Sequence, residues 1–231
     1  YIQQIMKADE TLSPGAFVDY VENIYVGYKF YETAAEEGII DFDKTVKYPF
    51  GYGLSYTEFK QEMGEIIKDE EGNLKFDVTV TNKGDTAGKE VVEVYYTPPY
   101  TNGGIEKASA NLIQYEKTAL LEPGESQILK LTFKEEDMAS FDTYGEGCYV
   151  LEKGVYKISL RAGSHDILDE REYEVGSAVI YNEENPRQSD DTAAVVRFSD
   201  VEGDESCHIT YLSRKDSFAN YEAAVSAPAE E

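Results

Sequence analysis

Short runs in which apolar and polar residues alternate recur along the middle of this chain. In the clearest run, Leu74, Phe76, Val78 and Val80 are separated by single polar residues. A period of two residues is typical of a β-strand that buries one face and exposes the other. The run ends in Asn82-Lys83-Gly84-Asp85, which has the composition of a turn. The alternation therefore predicts a domain built mainly of antiparallel strands.

The same pattern divides residues 57–176 into about seven strands separated by turn residues. Between two of them, Asp137 to Phe141 is predicted to be a short helical or irregular turn. About seven strands in about 120 residues are typical of an immunoglobulin-like or fibronectin-III-like sandwich of two antiparallel sheets. Because the chain has no Trp, the Cys–Trp–Cys core of antibody domains is disfavoured. The predicted strands lie at residues 74–80, 91–96, 112–121, 129–133, 148–151, 156–160 and 173–175.

The N-terminal part carries a mixed pattern that leaves two interpretations open. Between residues 17 and 36, apolar and tyrosine side chains recur at the helical spacing of three and four residues. However, residues 24–26 are rich in strand formers, and Gly27 would interrupt a helix. The segment is therefore either one helix, or a short strand followed by a helix near residues 27–37 that Gly38 ends.

Charge excludes two classes of partner. The 231 residues include 46 acidic and 21 basic side chains, which gives a formal net charge of −25. Binding to nucleic acid requires a basic face that displaces phosphate counterions, so nucleic acid is not an expected partner. Anionic membrane surfaces are disfavoured for the same reason. We also expect no transmembrane helix, because there is no apolar run of about 18 residues.

Cysteine content and the start of the chain leave the compartment open. Two cysteines, Cys148 and Cys207, form no disulfide framework, and free thiols are favoured over a single bridge. No signal peptide is visible, and a start at Tyr1 instead of Met suggests a fragment or a processed form. We expect a soluble protein, and both a bacterial cytoplasmic and a secreted location stay open.

Five segments carry a more specific pattern. They are residues 22–33 (ENIYVGYKFYET), 49–59 (PFGYGLSYTEF), 78–92 (VTVTNKGDTAGKEVV), 121–126 (LEPGES) and 152–156 (EKGVY). In this order they resemble glycoside hydrolase family 3, and in particular its β-glucosidases. Asn23 and Lys29 replace the Gly and Arg of the family pattern, which are mild departures. The resemblance extends over residues 20–176, roughly two thirds of the chain.

The resemblance implies a parent enzyme with a barrel domain, an α/β sandwich domain and a fibronectin-III-like domain. Residues 1–56 are then similar to the tail of the α/β sandwich, and residues 57–176 to the fibronectin-III-like domain. Residues 177–231 would be a linker toward a missing barrel, because residues 200–218 are similar to the join in members with swapped domain order. Within the first segment, the motif around Phe50, Tyr52, Leu54 and Tyr56 is expected to pack against the sandwich.

The function implied by the resemblance is a non-catalytic one. The parent would be a retaining enzyme that removes terminal β-linked sugars with two carboxylates. By the resemblance both carboxylates lie outside these residues, so no catalytic residue is expected here and this chain alone would not be an enzyme. It would brace the missing catalytic domains of the same polypeptide, which bind the oligo- or disaccharide substrate. The alternative is a carbohydrate-binding or adhesion module, with Tyr95 or Tyr96 and Tyr115 as outward-facing candidates.

Candidate binding residues come from the tyrosines at positions 20, 25, 28 and 31. Aromatic faces suit the CH groups of pyranose rings, so Tyr25 and Tyr28 are candidate sugar-binding residues. The same spacing would also arise from packing at a domain interface. Similarly, the loop at residues 98–110 could reach a neighbouring active site or be a plain connection.

Metal, cofactor and nucleophile chemistry is not expected. With two histidines, an imidazole-rich metal site is nearly excluded. Asp200, Glu202 and Asp204 resemble a calcium loop only in spacing, since Glu205 and Tyr211 occupy positions that need Gly and Glu, and a solvated acidic turn is favoured. Cys207 and His208 are adjacent and would point to opposite faces of a strand. Ser164 and His165 are expected in a surface turn.

Overall fold

The structure is a computed structural model, and it describes residues 20–195 and 210–225. The first sheet has β3 (Asn73–Asn82) at its centre, with β1 (Phe59–Met63) and β2 (Ile67–Lys68) paired to one edge and β6 (Ser126–Lys134) to the other. The second sheet has the order β10 (Asp166–Val175), β9 (Gly154–Ala162), β4 (Val91–Thr97) and β5 (Asn111–Lys117). A third, small sheet joins β7 (Ser140–Phe141), β8 (Tyr149–Leu151) and β11 (Val179–Tyr181). All described pairings are antiparallel.

Alternation along the strands puts one core between the two large sheets. In β3, each second side chain from Leu74 to Asn82 is buried, and β6 buries Leu129, Leu131 and Phe133 in the same way. The second sheet contributes residues such as Val94, Tyr156, Ile158 and Leu160 to the same cluster. Burying each of these large apolar side chains stabilises the fold by roughly 1.5–3 kcal/mol relative to an exposed position. The predicted mainly β sandwich is confirmed.

All seven predicted strands are confirmed, and residues 20–195 contain four further short strands. Each predicted run coincides with a strand. The helical or irregular turn predicted at Asp137 to Phe141 is only partly confirmed, because a 3₁₀ turn covers Glu135–Met138 but Ser140–Phe141 form the short strand β7. Four strands were not predicted, β1, β2, β7 and β11, because they are short or mostly polar. In β1, Gln61 takes one of the two buried positions, so the apolar alternation is interrupted there.

The N-terminal segment forms a helix, not a strand. Helix α1 (Tyr28–Glu36) begins after Gly27, which has a φ of 60°, and is followed by Gly38, which has a φ of 75°. These left-handed conformations suit glycine, because it has no Cβ. The helix predicted near residues 27–37 is thus confirmed, whereas residues 20–26 form turns and no strand. A short helix, α2 (Phe42–Thr45), follows and is capped by the side chain of Asp41.

The C-terminal part contacts the rest of the fold at two places. Residues 179–195 add β11 and an isolated bridge between Cys148 and Val195, and Cys148 carries a buried free thiol. Residues 211–225 contain α3 (Lys215–Phe218) and α4 (Tyr221–Val225). The acidic stretch Asp200–Asp204 and the pair Cys207 and His208 lie outside the described residues. In the described part of the chain, no helix is long and apolar enough to cross a membrane.

Candidate functional site

The N-terminal segment meets the sandwich at the tight turn between β9 and β10. The backbone N–H of Ser164 in this turn donates to the carbonyl of Phe50 at 2.7 Å. On the same side, the rings of Tyr28 and Phe50 stack with their centres 4.7 Å apart. The hydroxyl of Tyr28 also accepts a hydrogen bond from the backbone N–H of Leu112 at 3.0 Å. We call this contact region the junction.

A buried carboxylate lies in the junction. Glu32 of α1 has 7% of its surface exposed and accepts a hydrogen bond from the hydroxyl of Ser164 at 2.5 Å. Its second oxygen lies 2.8 Å from Nδ1 of His165. The His165 ring stacks on Phe42 of α2, with ring centres 3.6 Å apart and planes 3° from parallel. Ser164 and His165 therefore contact both α1 and α2 of the N-terminal segment.

The role of this turn was not visible in the sequence. Ser164 and His165 do lie in a turn, as predicted, but Ser164 is fully buried and not at the surface. The reason is tertiary, because α1 and the backbone of Phe50 cover the turn. A weak signal was available in Glu32, which lies four residues after Tyr28 and therefore on the same face of the helix.

A cleft of about 270 Å³ opens at the junction. Glu32 is the one carboxylate among its lining residues in the described part of the chain, and both its oxygens already have partners. Retaining hydrolysis of a glycosidic bond needs two carboxylates about 5–5.5 Å apart. The cleft could hold a small molecule against aromatic rings, but it has no pair of carboxylates for this reaction. Its aromatic lining consists of Tyr28, Tyr31, Phe42, Tyr48 and Phe50.

The four N-terminal tyrosines do not form one flat surface. Tyr25 is 2% exposed, its ring contacts Phe218 edge-on at 4.8 Å, and its hydroxyl donates to Glu106 at 2.5 Å. Burial, together with that hydrogen bond, raises the pKa of Tyr25 well above its usual range. Tyr28 borders the cleft, with Phe50 over one face of its ring. Sugar binding by Tyr25 and Tyr28 remains a prediction, and their observed contacts are those of packing.

The segment after the cleft is the largest departure from expectation. We call residues 48–56 the aromatic arm. Phe50 and Tyr52 are about half exposed, whereas Leu54 is 89% and Tyr56 is 96% exposed. The expectation that all four residues pack against the sandwich was therefore wrong for Leu54 and Tyr56. Their side chains extend into solvent from a backbone that the Phe50–Ser164 hydrogen bond ties to the sandwich.

The loop at residues 98–110 contacts the C-terminal segment at its tip and is buried at its end. Lys107 is 2% exposed, and its ammonium group donates to the carbonyl of Pro99 at 2.7 Å and to the carboxylate of Glu152. Burial lowers the pKa of Lys107, against the raising effect of Glu152. The described residues contain no group of three or more His, Cys, Asp and Glu side chains placed to hold a metal ion.

Comparison with known proteins agrees with this architecture. A fibronectin type III-like domain model matches residues 90–164, which run from the start of β4 to the turn after β9. β-Glucosidase A of Butyrivibrio fibrisolvens is 40% identical over 182 residues, which cover 71% of this chain and 21% of that protein. An exo-α-(1→6)-L-arabinopyranosidase of Bifidobacterium longum is 32% identical over 152 residues, covering 66% of this chain and 18% of that protein.

Solved structures show the same relationship. β-Glucosidase 3B of Thermotoga neapolitana, in complex with α-D-glucose, matches with a TM-score of 0.57 and 35% identity. The match covers 69% of this chain and 20% of that one. The chain thus spans about a fifth of the length of the relatives it matches. The chain is therefore similar to part of these β-glucosidases, the glycoside hydrolase family 3 β-glucosidase of Bifidobacterium adolescentis among them, over a stretch that includes the fibronectin type III-like match.

Proposed function

We propose that this chain is the non-catalytic, fibronectin-III-like region of a family 3 glycoside hydrolase, and that it braces the catalytic domains of that enzyme. The parent enzyme would hydrolyse terminal β-linked sugars with retention, in the manner of a β-glucosidase. Its partners would be the catalytic domains of the same polypeptide. Those domains, and not this region, would bind the oligo- or disaccharide substrate. Nucleic acid and membranes are not proposed partners.

The observation that carries the proposal is the exposed aromatic arm. Leu54 and Tyr56 present large apolar side chains to water beside a backbone that is anchored to the sandwich. Within the arm, Tyr48, Phe50 and Tyr52 are also about half exposed or more, and several exposed large apolar side chains in one short segment are typical of an interaction site. A segment that is attached to the sandwich at Phe50 and exposes apolar side chains beyond it suits a permanent contact with another domain. The relatives are several times longer than this chain, so they contain further domains for such a contact.

The alternative, a carbohydrate-binding module, has less support. Of its outward candidates, Tyr95 is fully buried and Tyr96 is 9% exposed, so both belong to the core and not to a binding face. Tyr115 is 66% exposed and remains available. One named relative acts on an arabinopyranoside and the others on β-glucosides.

A graft into a relative tests the bracing role. Residues 20–225, which include the C-terminal contacts to the sandwich and to α1, would replace the matching segment of the Butyrivibrio β-glucosidase A, and hydrolysis of a chromogenic β-glucoside would be measured. We expect the graft to be active, and Leu54→Asp with Tyr56→Asp in the same graft to lose at least about tenfold in activity, since each places a charge in a dry contact. Tyr115→Asp, on the exposed face of β5, is the matched control. Equal activity of the arm variant and the control would contradict a bracing role for the arm.

Calorimetric titration separates the two functions. We expect the isolated chain to release no binding heat with cellobiose or soluble β-glucans and to show no hydrolysis of a chromogenic β-glucoside. Binding at micromolar affinity that Tyr115→Ala abolishes would instead establish the carbohydrate-binding alternative.

A further inference from the structure

A second, smaller core lies outside the sandwich. It is formed by Tyr25 and α1, by the end of the loop at residues 98–110, and by residues 211–225, which we call the strap. The strap contributes Leu212, Phe218 and Ala224, each at most 5% exposed. The Phe218 ring lies 4.8 Å from that of Tyr25 and 5.7 Å from that of Phe30. The strap therefore occupies a groove with α1 as one wall and the loop as the other.

Arg214 of the strap connects both walls. Its side chain is 5% exposed and donates from Nε to Glu37 at 2.6 Å and from Nη2 to Glu36 at 3.2 Å, both at the end of α1. From Nη1 it donates to the carbonyl of Lys107 in the loop at 3.1 Å. The guanidinium also lies over the ring of Tyr100, 4.3 Å from its centre. Only arginine has a planar charged group that can donate several hydrogen bonds at its edge and also lie over an aromatic ring.

Glu106 of the loop joins Tyr25 to the strap through hydrogen bonds. Its Oε2 accepts from both the hydroxyl of Tyr25 and the backbone N–H of Arg214, and its Oε1 accepts from the hydroxyl of Ser213. The backbone N–H of Leu212 further donates to the carbonyl of Val21 at 2.7 Å. Residues 20–25 and the strap are thus joined directly, although about 190 positions separate them in the sequence.

The backbone of the strap is not one that its sequence would adopt alone. Asp216, Ser217 and Phe218 have φ angles of 51°, 56° and 58°. Residues other than glycine rarely adopt this left-handed backbone, because their Cβ comes too close to the following carbonyl oxygen. Asn102 of the loop holds this turn with two hydrogen bonds, accepting from the N–H of Asp216 at 2.8 Å and donating to its carboxylate at 2.7 Å. The conformation of the strap is therefore imposed by the groove.

We propose that the groove between α1 and the loop is a peptide-binding site whose ligand is the strap of the same chain, and that this contact holds α1 in place independently of the sandwich core. The strap ties the segment where the chain enters the described fold to the segment where it leaves. Both ends of this region are then fixed to one another and not only to the sandwich. This inference concerns the isolated chain and does not depend on the proposed bracing of catalytic domains.

Hydrogen exchange on the full chain tests the proposal. Phe218→Ala removes the main apolar anchor, and Arg214→Lys keeps the charge but removes the fork. In both variants we expect amide exchange in α1 to accelerate at least about tenfold, while residues 74–80 and 156–160 of the sandwich keep their wild-type rates. Lys215→Ala, an exposed neighbour in the strap, is the control and should change neither. A synthetic peptide of residues 210–225 should restore protection of α1 when added to Phe218→Ala.

Two results would overturn the proposal. If α1 keeps its protection in both variants, the strap does not hold it. If the sandwich strands accelerate by the same factor as α1, the strap belongs to one cooperative core and the groove is not a separate site. Failure of the graft described above would leave either result unchanged, since hydrogen exchange involves no catalytic domain.

Discussion

The buried tyrosines of this chain are expected to lower its free energy of unfolding by about 5 kcal/mol when the pH is raised from 9 to 11. Burial is the main cause that raises the pKa of Tyr25, Tyr95, Tyr96 and Tyr156 well above the usual value of about 10, and all four are at most 9% exposed. Hydrogen bonds from Tyr25 to Glu106 and from Tyr95 to Glu93 act in the same direction.

The sign follows from proton binding. Above pH 10 these tyrosines lose their protons in the unfolded chain but keep them in the folded one, so the unfolded state is favoured as the pH rises. At pH 11 each such tyrosine lowers stability by about 1.4 kcal/mol relative to pH 9. The contribution is complete below pH 10 and is lost between pH 10 and the raised pKa values. Tyr181, whose pKa burial raises to about 12, adds a smaller amount because its side chain is partly exposed.

Urea unfolding followed by circular dichroism between pH 8 and pH 11 measures the effect. Tyr156→Phe keeps the ring in the core and should reduce the loss between pH 9 and pH 11 by about 1.4 kcal/mol. Tyr115→Phe, at an exposed position, should leave the loss unchanged. Stability that stays constant up to pH 11 would contradict the assignment of these tyrosines to the core.

Gly163→Ala is expected to destabilise the chain by about 2–4 kcal/mol. Gly163 has a φ of 76°, which an L-residue other than glycine rarely adopts. In addition, a Cβ at this position would lie 2.8 Å from the carbonyl oxygen of Phe50. The backbone of the aromatic arm would have to move away, and the hydrogen bond from Ser164 to Phe50 would lengthen or break.

Gly124→Ala separates the two causes. Gly124 has a φ of 79°, but a Cβ there would meet no atom within 4 Å. We expect it to cost about 1 kcal/mol from backbone strain alone. Chemical denaturation of both variants measures the difference, which reports the close approach of arm and turn. Equal losses would show that this approach contributes nothing to stability.

The strands could be predicted because their cause is local. In β3 and β6 the alternation of apolar and polar residues reflects burial on one side of a sheet, so it is visible in the sequence. Helix α1 was visible as one of two alternatives, with Gly38 as its end signal. The short strands were not visible, since a run of two or three residues is too short to show a period.

The junction could not be predicted, because its partners are distant in the sequence. Glu32 meets Ser164 and His165 across more than 130 positions. In a chain with a net charge of −25, carboxylates outnumber cations, and hydroxyl groups supply part of the missing partners. Ser164 donates to Glu32, Tyr25 and Ser213 to Glu106, and Tyr173 to Glu135. No sequence pattern distinguishes a tyrosine that serves a buried carboxylate from one that serves as a ligand platform.

By itself, the sequence determined the β-sandwich and the turns between its strands, since periodicity and turn chemistry are properties of neighbouring residues. The resemblance to family 3 enzymes was visible for the same reason, because it is carried by short ordered motifs. Tertiary structure alone decided that Tyr25 is covered, that Leu54 and Tyr56 are exposed, and that Arg214 closes a groove between distant segments. Which face of a tyrosine or arginine is buried depends on what folds against it, and long-range packing leaves no periodic trace in the chain.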